Sequence, residues 1–192
     1  MSSNMGVAAP ETALYAVGSR PLRRWNVHID PHGSVERVMD EDIRRTVIDI
    51  QGASVATTFV HCPKVGTRLP HVSFLIKCMG TDVPCSIEVE MLDSRQTRRR
   101  LRAATYQKRV TSDDKVTAMP LSLGVGWNHV QFHLDDFLQR WYGTGYVEAV
   151  GIEVHATCRV RRIYFTDASQ CEDELADEFR LAVISKSCKS CM

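Results

Sequence analysis

Two pairs of potential metal ligands have spacings that occur in zinc sites. His129 and His133 are four residues apart, which on a helix would place both imidazoles on one face. Their segment alternates apolar and polar residues and therefore predicts a strand. On a strand, four residues span about 13 Å at roughly 3.3 Å per residue, so the two imidazoles cannot share one ion. We expect both histidines to face solvent and to bind no metal.

Cys188 and Cys191 form a C-x-x-C motif, which is common in redox and zinc sites. A zinc site needs a second pair of ligands at similar spacing, and the sequence has none. A redox motif of this type follows a strand and opens a helix, whereas this one lies in the last five residues. We interpret the pair as exposed thiols in a flexible tail.

Catalytic motifs are missing from the sequence. There is no G-x-S-x-G nucleophile elbow and no G-x-x-x-x-G-K phosphate-binding loop. Gly124 and Gly126 form only a G-x-G pair that leads into a predicted strand, which indicates a turn. The sequence predicts no catalytic residues and no cofactor, and an enzyme is the least favoured class.

The most informative chemistry is a concentration of arginine. The segment 94–110 is rich in basic residues and contains no acidic one. On a strand, Arg98, Arg100 and Arg102 share one face because side chains alternate with a period of two. Guanidinium groups pair with carboxylates and phosphates through forked hydrogen bonds. We therefore predict a basic partner-binding surface that consists of Arg98, Arg99, Arg100, Arg102, Lys108, Arg109, Arg159, Arg161 and Arg162.

Other interpretations of this segment stay open. It is equally compatible with a solvated sheet face balanced by the acidic stretch from Asp167 to Glu178. Tyr106 and Tyr164 could stack on bases or sugars, or belong to the core. The chain has 24 basic and 23 acidic residues and a net charge of +1. That balance disfavours a free nucleic-acid-binding protein, which usually carries a large positive excess.

The elements that would position these residues are mostly strands. Alternating or β-branched runs recur about every ten residues, a series typical of an antiparallel β-sandwich or small barrel. We predict strands at 46–51, 55–60, 72–77, 85–91, 127–134, 150–155 and 160–165. Along 85–91 the alternation places Ile87, Val89 and Met91 on one face and Ser86, Glu88 and Glu90 on the other. The fold class is therefore all-β.

Two short helices are predicted to interrupt the strands. Asp135 or Asp136 would cap a helix that ends at Gly143, and Ser169 would cap a second one over 172–179. The length of 192 residues suits one domain. We expect a flexible arm over 1–12, a β-sandwich domain over 13–184 and a flexible tail over 185–192.

The composition is that of a soluble protein, with 44% hydrophobic and 24% charged residues. No apolar run approaches the roughly 18 residues that a membrane span requires. The first residues lack the order of a secretory signal. We therefore expect the seven cysteines to be reduced thiols in the cytosol.

The sequence resembles the cilia- and flagella-associated protein 20 family, in unbroken order from about residue 13 to 183. The strings that carry the resemblance are 14–22 with Trp25, 98–103, 126–132, 142–146, 155–165 and 172–175. The chain departs from the family in its arm, in its tail and at Gly124-Val125, where the family has an acidic pair. These departures are consistent with a divergent paralogue.

The resemblance implies a jelly-roll sandwich similar in outline to carbohydrate-binding modules. It implies a non-enzymatic structural protein of the ciliary or flagellar axoneme, with the basal body as a further location. Its place would be the inner junction of the doublet microtubule, where the B-tubule closes onto the A-tubule. The expected partners are α/β-tubulin, the Parkin co-regulated gene product and repeated copies along the doublet. The basic surface would face acidic tubulin, and reversing Arg98, Arg100 and Arg102 would release a folded domain.

Two alternative functions are kept. One alternative is a carbohydrate-binding module, which is suggested by the tryptophans Trp25, Trp127 and Trp141. Such a module needs aromatic rings exposed on one platform. Trp127, however, begins a strand whose apolar positions are predicted to point inward. The other alternative is a nucleic-acid-binding module, which the arginine-rich strand suggests and the net charge disfavours.

Overall fold

The computed structural model describes residues 9–169, which contain thirteen strands and one helix. The strands and the helix are β1 (Glu11–Tyr15), β2 (Asn26–His28), β3 (Ser34–Asp40), β4 (Arg45–Gln51), β5 (Phe59–Cys62), β6 (His71–Cys78), β7 (Ser86–Asp93), β8 (Arg98–Ala104), β9 (Thr111–Ser112), β10 (Val116–Pro120), β11 (Gly126–His133), α1 (Leu134–Tyr142), β12 (Tyr146–His155) and β13 (Cys158–Thr166).

The strands form two sheets that enclose one apolar core. The six-stranded sheet has the order β11-β6-β13-β4-β3, and β1 pairs with β13. The seven-stranded sheet has the order β2-β5-β12-β7-β8-β10-β9. All pairs are antiparallel except β8 with β10, which run parallel because residues 105–115 carry the chain back to the start of β8. The predicted all-β sandwich is confirmed.

Strand β7 shows how the alternation of apolar and polar residues corresponds to burial in the core. Ile87, Val89 and Met91 are buried between the sheets, as the alternation predicts. Ser86 and Glu88 point to the outer face but are only 1% and 4% exposed. The alternation predicts their face correctly but not their burial, because side chains of the neighbouring strands cover them.

Most predicted strands are present, and one is misplaced. Residues 54–57 form a turn in which the Ser54 hydroxyl and carbonyl oxygens accept backbone N–H groups from Ala56 and Thr57, so the strand begins only at Phe59. A serine that bonds the backbone two residues ahead competes with strand pairing. Strands β2, β3, β9 and β10 have no counterpart among the predicted runs.

Helix α1 ends as predicted and begins differently. Gly143 takes the left-handed conformation, φ 61°, and its N–H donates to the carbonyl of Gln139 at 3.1 Å. The N-cap position is His133, without a side-chain cap, since β11 runs directly into the helix. Asp135 lies in the first turn and accepts the backbone N–H of Tyr146 at 2.8 Å. The predicted cap at Asp135 or Asp136 is therefore wrong.

Several predictions fall outside the described part of the chain. The second helix at 172–179, the tail at 185–192 and most of the arm are not within residues 9–169. Within those residues, no helix has the length and apolarity needed to cross a bilayer.

Candidate functional site

Strand β8 carries the predicted arginine row on the outer face of the seven-stranded sheet. Its neighbour β7 places carboxylates opposite, with Glu90 facing Arg100 and Glu88 facing Arg102 in the register. The guanidinium of Arg98 lies 3.1 Å from Glu90. Cross-strand pairing of opposite charges is a common stabilising device in sheets. The shared face is thus as predicted, but acidic residues of the same sheet already occupy it.

Glu88 is the most buried member of this row. Its side chain is 5% exposed, and its two carboxylate oxygens accept from Arg100 Nη1 at 3.0 Å and from Arg102 Nε at 2.6 Å. A buried carboxylate without its cations is strongly destabilising. We therefore expect Glu at positions 100 and 102 to unfold the sheet locally, which corrects the expectation that reversing this row leaves the domain folded.

Arg99 points to the other face of β8. Its Nε donates to Asp93 at 2.9 Å, and its guanidinium lies over the ring of Tyr142, 4.4 Å from the centroid. Burial alone would raise the pKa of Asp93, but hydrogen bonds from the backbone of Thr97 and Arg95 and from Arg99 outweigh it and lower the pKa. This arginine connects β8 to the helix.

The three arginines of β13 lie mostly inside the structure. Arg159 bridges Asp40 at 2.8 Å and Asp49 at 3.1 Å. Arg161 and Arg162 are each only 6% exposed. The guanidinium of Arg162 lies 4.5 Å from the centroid of the Tyr15 ring. Arg161 and Arg162 therefore do not belong to an exposed basic surface, and β1 pairs with this part of β13 and brings Tyr15 beside Arg162.

Lys108 and Arg109 remain as exposed cations. They lie in the loop between β8 and β9, and no carboxylate of residues 9–169 is within ion-pair distance of either. Tyr106 and Val110 flank them and are 46% and 44% exposed. This 106–110 loop therefore combines unpaired positive charge with exposed apolar area.

The aromatic side chains are arranged for packing and not as a platform. Trp25 is 6% exposed and its Nε1 donates to the carbonyl of Ala13 at 3.1 Å. Trp127 donates to Asp40 at 3.0 Å, and Trp141 packs against the core. Tyr164 is fully buried. None of the three tryptophans is an exposed sugar-stacking ring, which removes the main support for a carbohydrate-binding module.

His129 and His133 lie on strand β11, as predicted, but both are half-buried. His133 stacks on His71 with ring centroids 4.3 Å apart, and its Nδ1 is 2.6 Å from a carboxylate oxygen of Asp136. Burial lowers the pKa of His71, and the neighbouring His133 lowers it further. The expectation that both histidines face solvent is therefore only partly right.

A second group of ionisable residues lies beside Glu88 and has no signature in the sequence. Glu153 is the register partner of Glu88, and His155 follows on the same face of β12. His155 Nε2 is 3.3 Å from Glu153 Oε2 and 3.6 Å from Glu88 Oε1. Contact with His155 is the largest influence on Glu153 and lowers its pKa against the opposing effect of burial. We call Glu88, Glu153, His155, Arg100 and Arg102 the Glu88 cluster.

The sequence could not indicate this cluster, because its members come from different parts of the chain. Strands β7 and β12 become neighbours only in the folded sheet. Within residues 9–169, Glu88, Glu153 and His155 are the group whose donor atoms lie close enough together, within 4.8 Å of one another, to hold a metal ion.

The fold and these sites define a β-sandwich domain that pairs the arginine row of β8 with carboxylates of its own sheet and leaves Lys108 and Arg109 exposed on the following loop. The family model described as CFA20 domain matches residues 9–183. The chain therefore belongs to the CFA20-domain family, and the resemblance noted in the sequence is confirmed.

Relatives in this family extend over most of the chain. "Cilia- and flagella-associated protein 20" of Chlamydomonas reinhardtii is 41% identical over 175 residues, which cover 88% of this chain and 90% of the relative. The protein of that name from Caenorhabditis elegans is 40% identical over 175 residues, covering 88% and 85%. The one from Paramecium tetraurelia is 40% identical over 173 residues, covering 88% and 89%.

Among solved structures, an exo-β-agarase aligns with 85% of this chain and 26% of its own at 11% identity, with a TM-score of 0.38. A similarity of this size supports no conclusion about this protein.

Proposed function

We propose that this chain is a non-enzymatic structural protein of cilia and flagella. The observation that carries the proposal is the family match over residues 9–183, together with relatives that are themselves named as cilia- and flagella-associated. The finer proposal is a place in the axoneme, at the inner junction of the doublet microtubule, where the chain docks on α/β-tubulin, closes the B-tubule and supports motility. The Parkin co-regulated gene product and further copies of the chain would be its neighbours.

The structure changes which residues we assign to docking on tubulin. Arg98, Arg100 and Arg102 each pair with Glu90 or Glu88, so the carboxylates of a partner would compete with carboxylates of the same sheet. The 106–110 loop offers Lys108 and Arg109 without internal carboxylates, beside the exposed ring of Tyr106. We therefore assign the contact with acidic tubulin to this loop.

The strength of such a contact follows from its exposure. An exposed ion pair contributes about 0–1 kcal/mol, so one copy held by one loop would bind weakly and lose affinity in salt. Copies repeated along a doublet would bind collectively through multivalency. A weak single contact is therefore compatible with stable incorporation into the doublet wall.

Co-sedimentation of the full chain with purified doublet microtubules tests the docking loop. The double variant Lys108→Glu/Arg109→Glu replaces two attractions by repulsions, about 2 kcal/mol in total, which corresponds to roughly 30-fold weaker binding. The matched control is Lys64→Glu/Arg68→Glu, which makes the same charge change on the exposed loop after β5. Equal binding of both double variants, or equal loss in both, would refute the assignment of the loop.

Localisation tests the proposal as a whole. A tagged full-length copy expressed in ciliated cells is expected along the axoneme, with additional signal at the basal body. Diffuse cytosolic or nuclear signal in those cells would overturn the proposed function, whatever the loop variants do.

A further inference from the structure

The outer face of the seven-stranded sheet carries a row of polar side chains that the docking loop does not use. The register places His61, Glu153, Glu88 and Arg102 side by side on β5, β12, β7 and β8. Residues opposite one another in an antiparallel pair have Cβ atoms about 4.5–5.5 Å apart. Ionisable groups from four strands therefore meet on one face.

His155 is held with one ring nitrogen aimed at the two carboxylates. Its Nδ1 lies 2.6 Å from the carbonyl oxygen of Val55. A carbonyl only accepts, so Nδ1 carries a proton, and Nε2 is the ring nitrogen that a metal ion could bind. His155 is only 8% exposed, and Nε2 is buried without a hydrogen-bond partner among residues 9–169. A histidine that donates one nitrogen to a backbone carbonyl and directs the other inward has the arrangement of a metal ligand.

The donor spacing suits a small transition-metal ion. Zinc binds imidazole nitrogen and carboxylate oxygen at about 2.0–2.2 Å, which in a tetrahedral site puts the donors about 3.3–3.5 Å apart. Nε2 of His155 lies 3.3 Å from Glu153 Oε2 and 3.6 Å from Glu88 Oε1. Only small side-chain movements would bring these three donors around one ion.

The arginines beside Glu88 are compatible with an ion at this place. Each Glu88 oxygen accepts one guanidinium N–H, from Arg100 or Arg102, and a carboxylate oxygen has a second lone pair. Carboxylates that bind metals are commonly oriented by such hydrogen bonds. Gly151 lacks a side chain where a Cβ would lie 3.6 Å from both His61 and Glu90. A cavity of about 10 Å³, roughly the size of one water molecule, lies on the His61 side of Glu88 and Glu153 and is not lined by His155.

We propose that Glu88, Glu153 and His155 form a Zn²⁺-binding site on the outer face of the sheet. The fourth position is open to water or to His61, whose Nε2 is 3.9 Å from Glu153 Oε1. One imidazole with two carboxylates favours zinc over Mg²⁺ and Ca²⁺, which take six or more oxygen ligands. A bound ion would connect β7 to β12 across the centre of the sheet and stabilise the folded chain.

Zinc titration of the full chain tests the site. The protein is freed of metal with a chelator and titrated with ZnCl₂ by calorimetry, in a background with Cys171, Cys188 and Cys191 changed to Ser so that these thiolates do not bind zinc. The charge-matched control is Glu148→Gln, five residues from Glu153 on β12. The protein with the unchanged site and the control variant are both expected to bind one equivalent of Zn²⁺ and to melt at a higher temperature with zinc. Glu153→Gln is expected to bind at least about a hundredfold more weakly and to show no thermal shift.

Equal zinc binding by Glu153→Gln and Glu148→Gln would overturn the proposal, as would no binding by the parent chain. Comparing the parent chain with and without zinc protects against a folding defect, since a site variant is then needed only for assignment. Among the seven histidines in the imidazole ¹⁵N spectrum, zinc is expected to shift the Nε2 resonance of His155, assigned with His155→Gln, and also that of His61 where His61 takes the fourth position. Unchanged imidazole resonances at saturating zinc would also refute the site.

Discussion

Asp40 is the residue on which we expect the largest electrostatic effect on stability. It is fully buried at the end of β3. Its carboxylate accepts from Lys77 Nζ at 2.8 Å, Arg159 Nη1 at 2.8 Å and Trp127 Nε1 at 3.0 Å. One carboxylate thus connects β3 with β6, β11 and β13 across the six-stranded sheet.

The substitution Asp40→Asn keeps the size of the side chain and removes its charge. Breaking a buried ion pair on one side costs about 3–5 kcal/mol, because the remaining charge is left uncompensated. Lys77 and Arg159 each keep a second partner, Asp42 at 2.7 Å and Asp49 at 3.1 Å, so the lower end applies. We expect a loss of about 3 kcal/mol in the free energy of unfolding. For a domain of this size the melting temperature should fall by about 6–12 °C.

Urea unfolding followed by far-UV circular dichroism at pH 7 measures this loss. The matched control is Asp42→Asn, which removes the other carboxylate that pairs with Lys77. The Asp42 side chain is 39% exposed, so this control should cost less than about 1 kcal/mol. The difference between the two variants isolates the effect of burial.

The pH dependence of the loss gives a second test. Burial alone would raise the pKa of Asp40, but hydrogen bonds from Lys77, Trp127 and Arg159 outweigh it and hold the pKa far below its ordinary value. A lowered folded-state pKa stabilises the fold above the unfolded-state pKa of about 3.9, and this contribution is lost as pH falls toward the folded-state pKa. The stability gap between the wild type and Asp40→Asn should be constant from about pH 5 to 7 and shrink below about pH 4.

Two results would refute this reasoning about Asp40. One is a cost for Asp40→Asn no larger than that of Asp42→Asn. The other is a stability gap that stays constant through acid pH, which would mean that the carboxylate is not an ionised anchor in the folded state.

Three further predictions concern stability and reactivity. Gly143→Ala should lower the free energy of unfolding by about 1 kcal/mol, since φ is 61°, while Gly145→Ala, with no close contact, should cost less in the same urea titration. Tyr146→Phe removes a hydrogen bond of 2.9 Å to a backbone carbonyl and should cost about 1 kcal/mol, whereas Tyr106→Phe on the exposed loop should cost nothing measurable. Burial raises the pKa of Cys85 to about 12, so iodoacetamide should label this thiol far more slowly in the native chain than in the unfolded chain. Peptide mass spectrometry measures the labelling. Equal labelling of the native and unfolded chains would contradict the burial of Cys85.

The strands that span the core could be predicted from local pattern. In β7 one face must be buried, so the period of two survives in the sequence as Ile87, Val89 and Met91. The end of α1 was predictable as well, because Gly143 occupies a conformation that few other residues tolerate. Short edge strands such as β2, exposed at all three positions, carry no such pattern. The turn at Ser54 was missed because a side-chain hydrogen bond outweighed β-branched composition there.

The sequence by itself determined the class of fold, the family and the position of the positive charge along the chain. It could not determine which charges are available, since Arg100 and Lys108 look alike in the sequence. Only the tertiary structure decides that Arg100 pairs with a buried Glu88 while Lys108 stays exposed. The tertiary structure also places His155 beside Glu88, although their strands are far apart in the sequence. The physical reason is that burial and pairing depend on strand register across the sheet, a long-range property that local residue patterns do not encode.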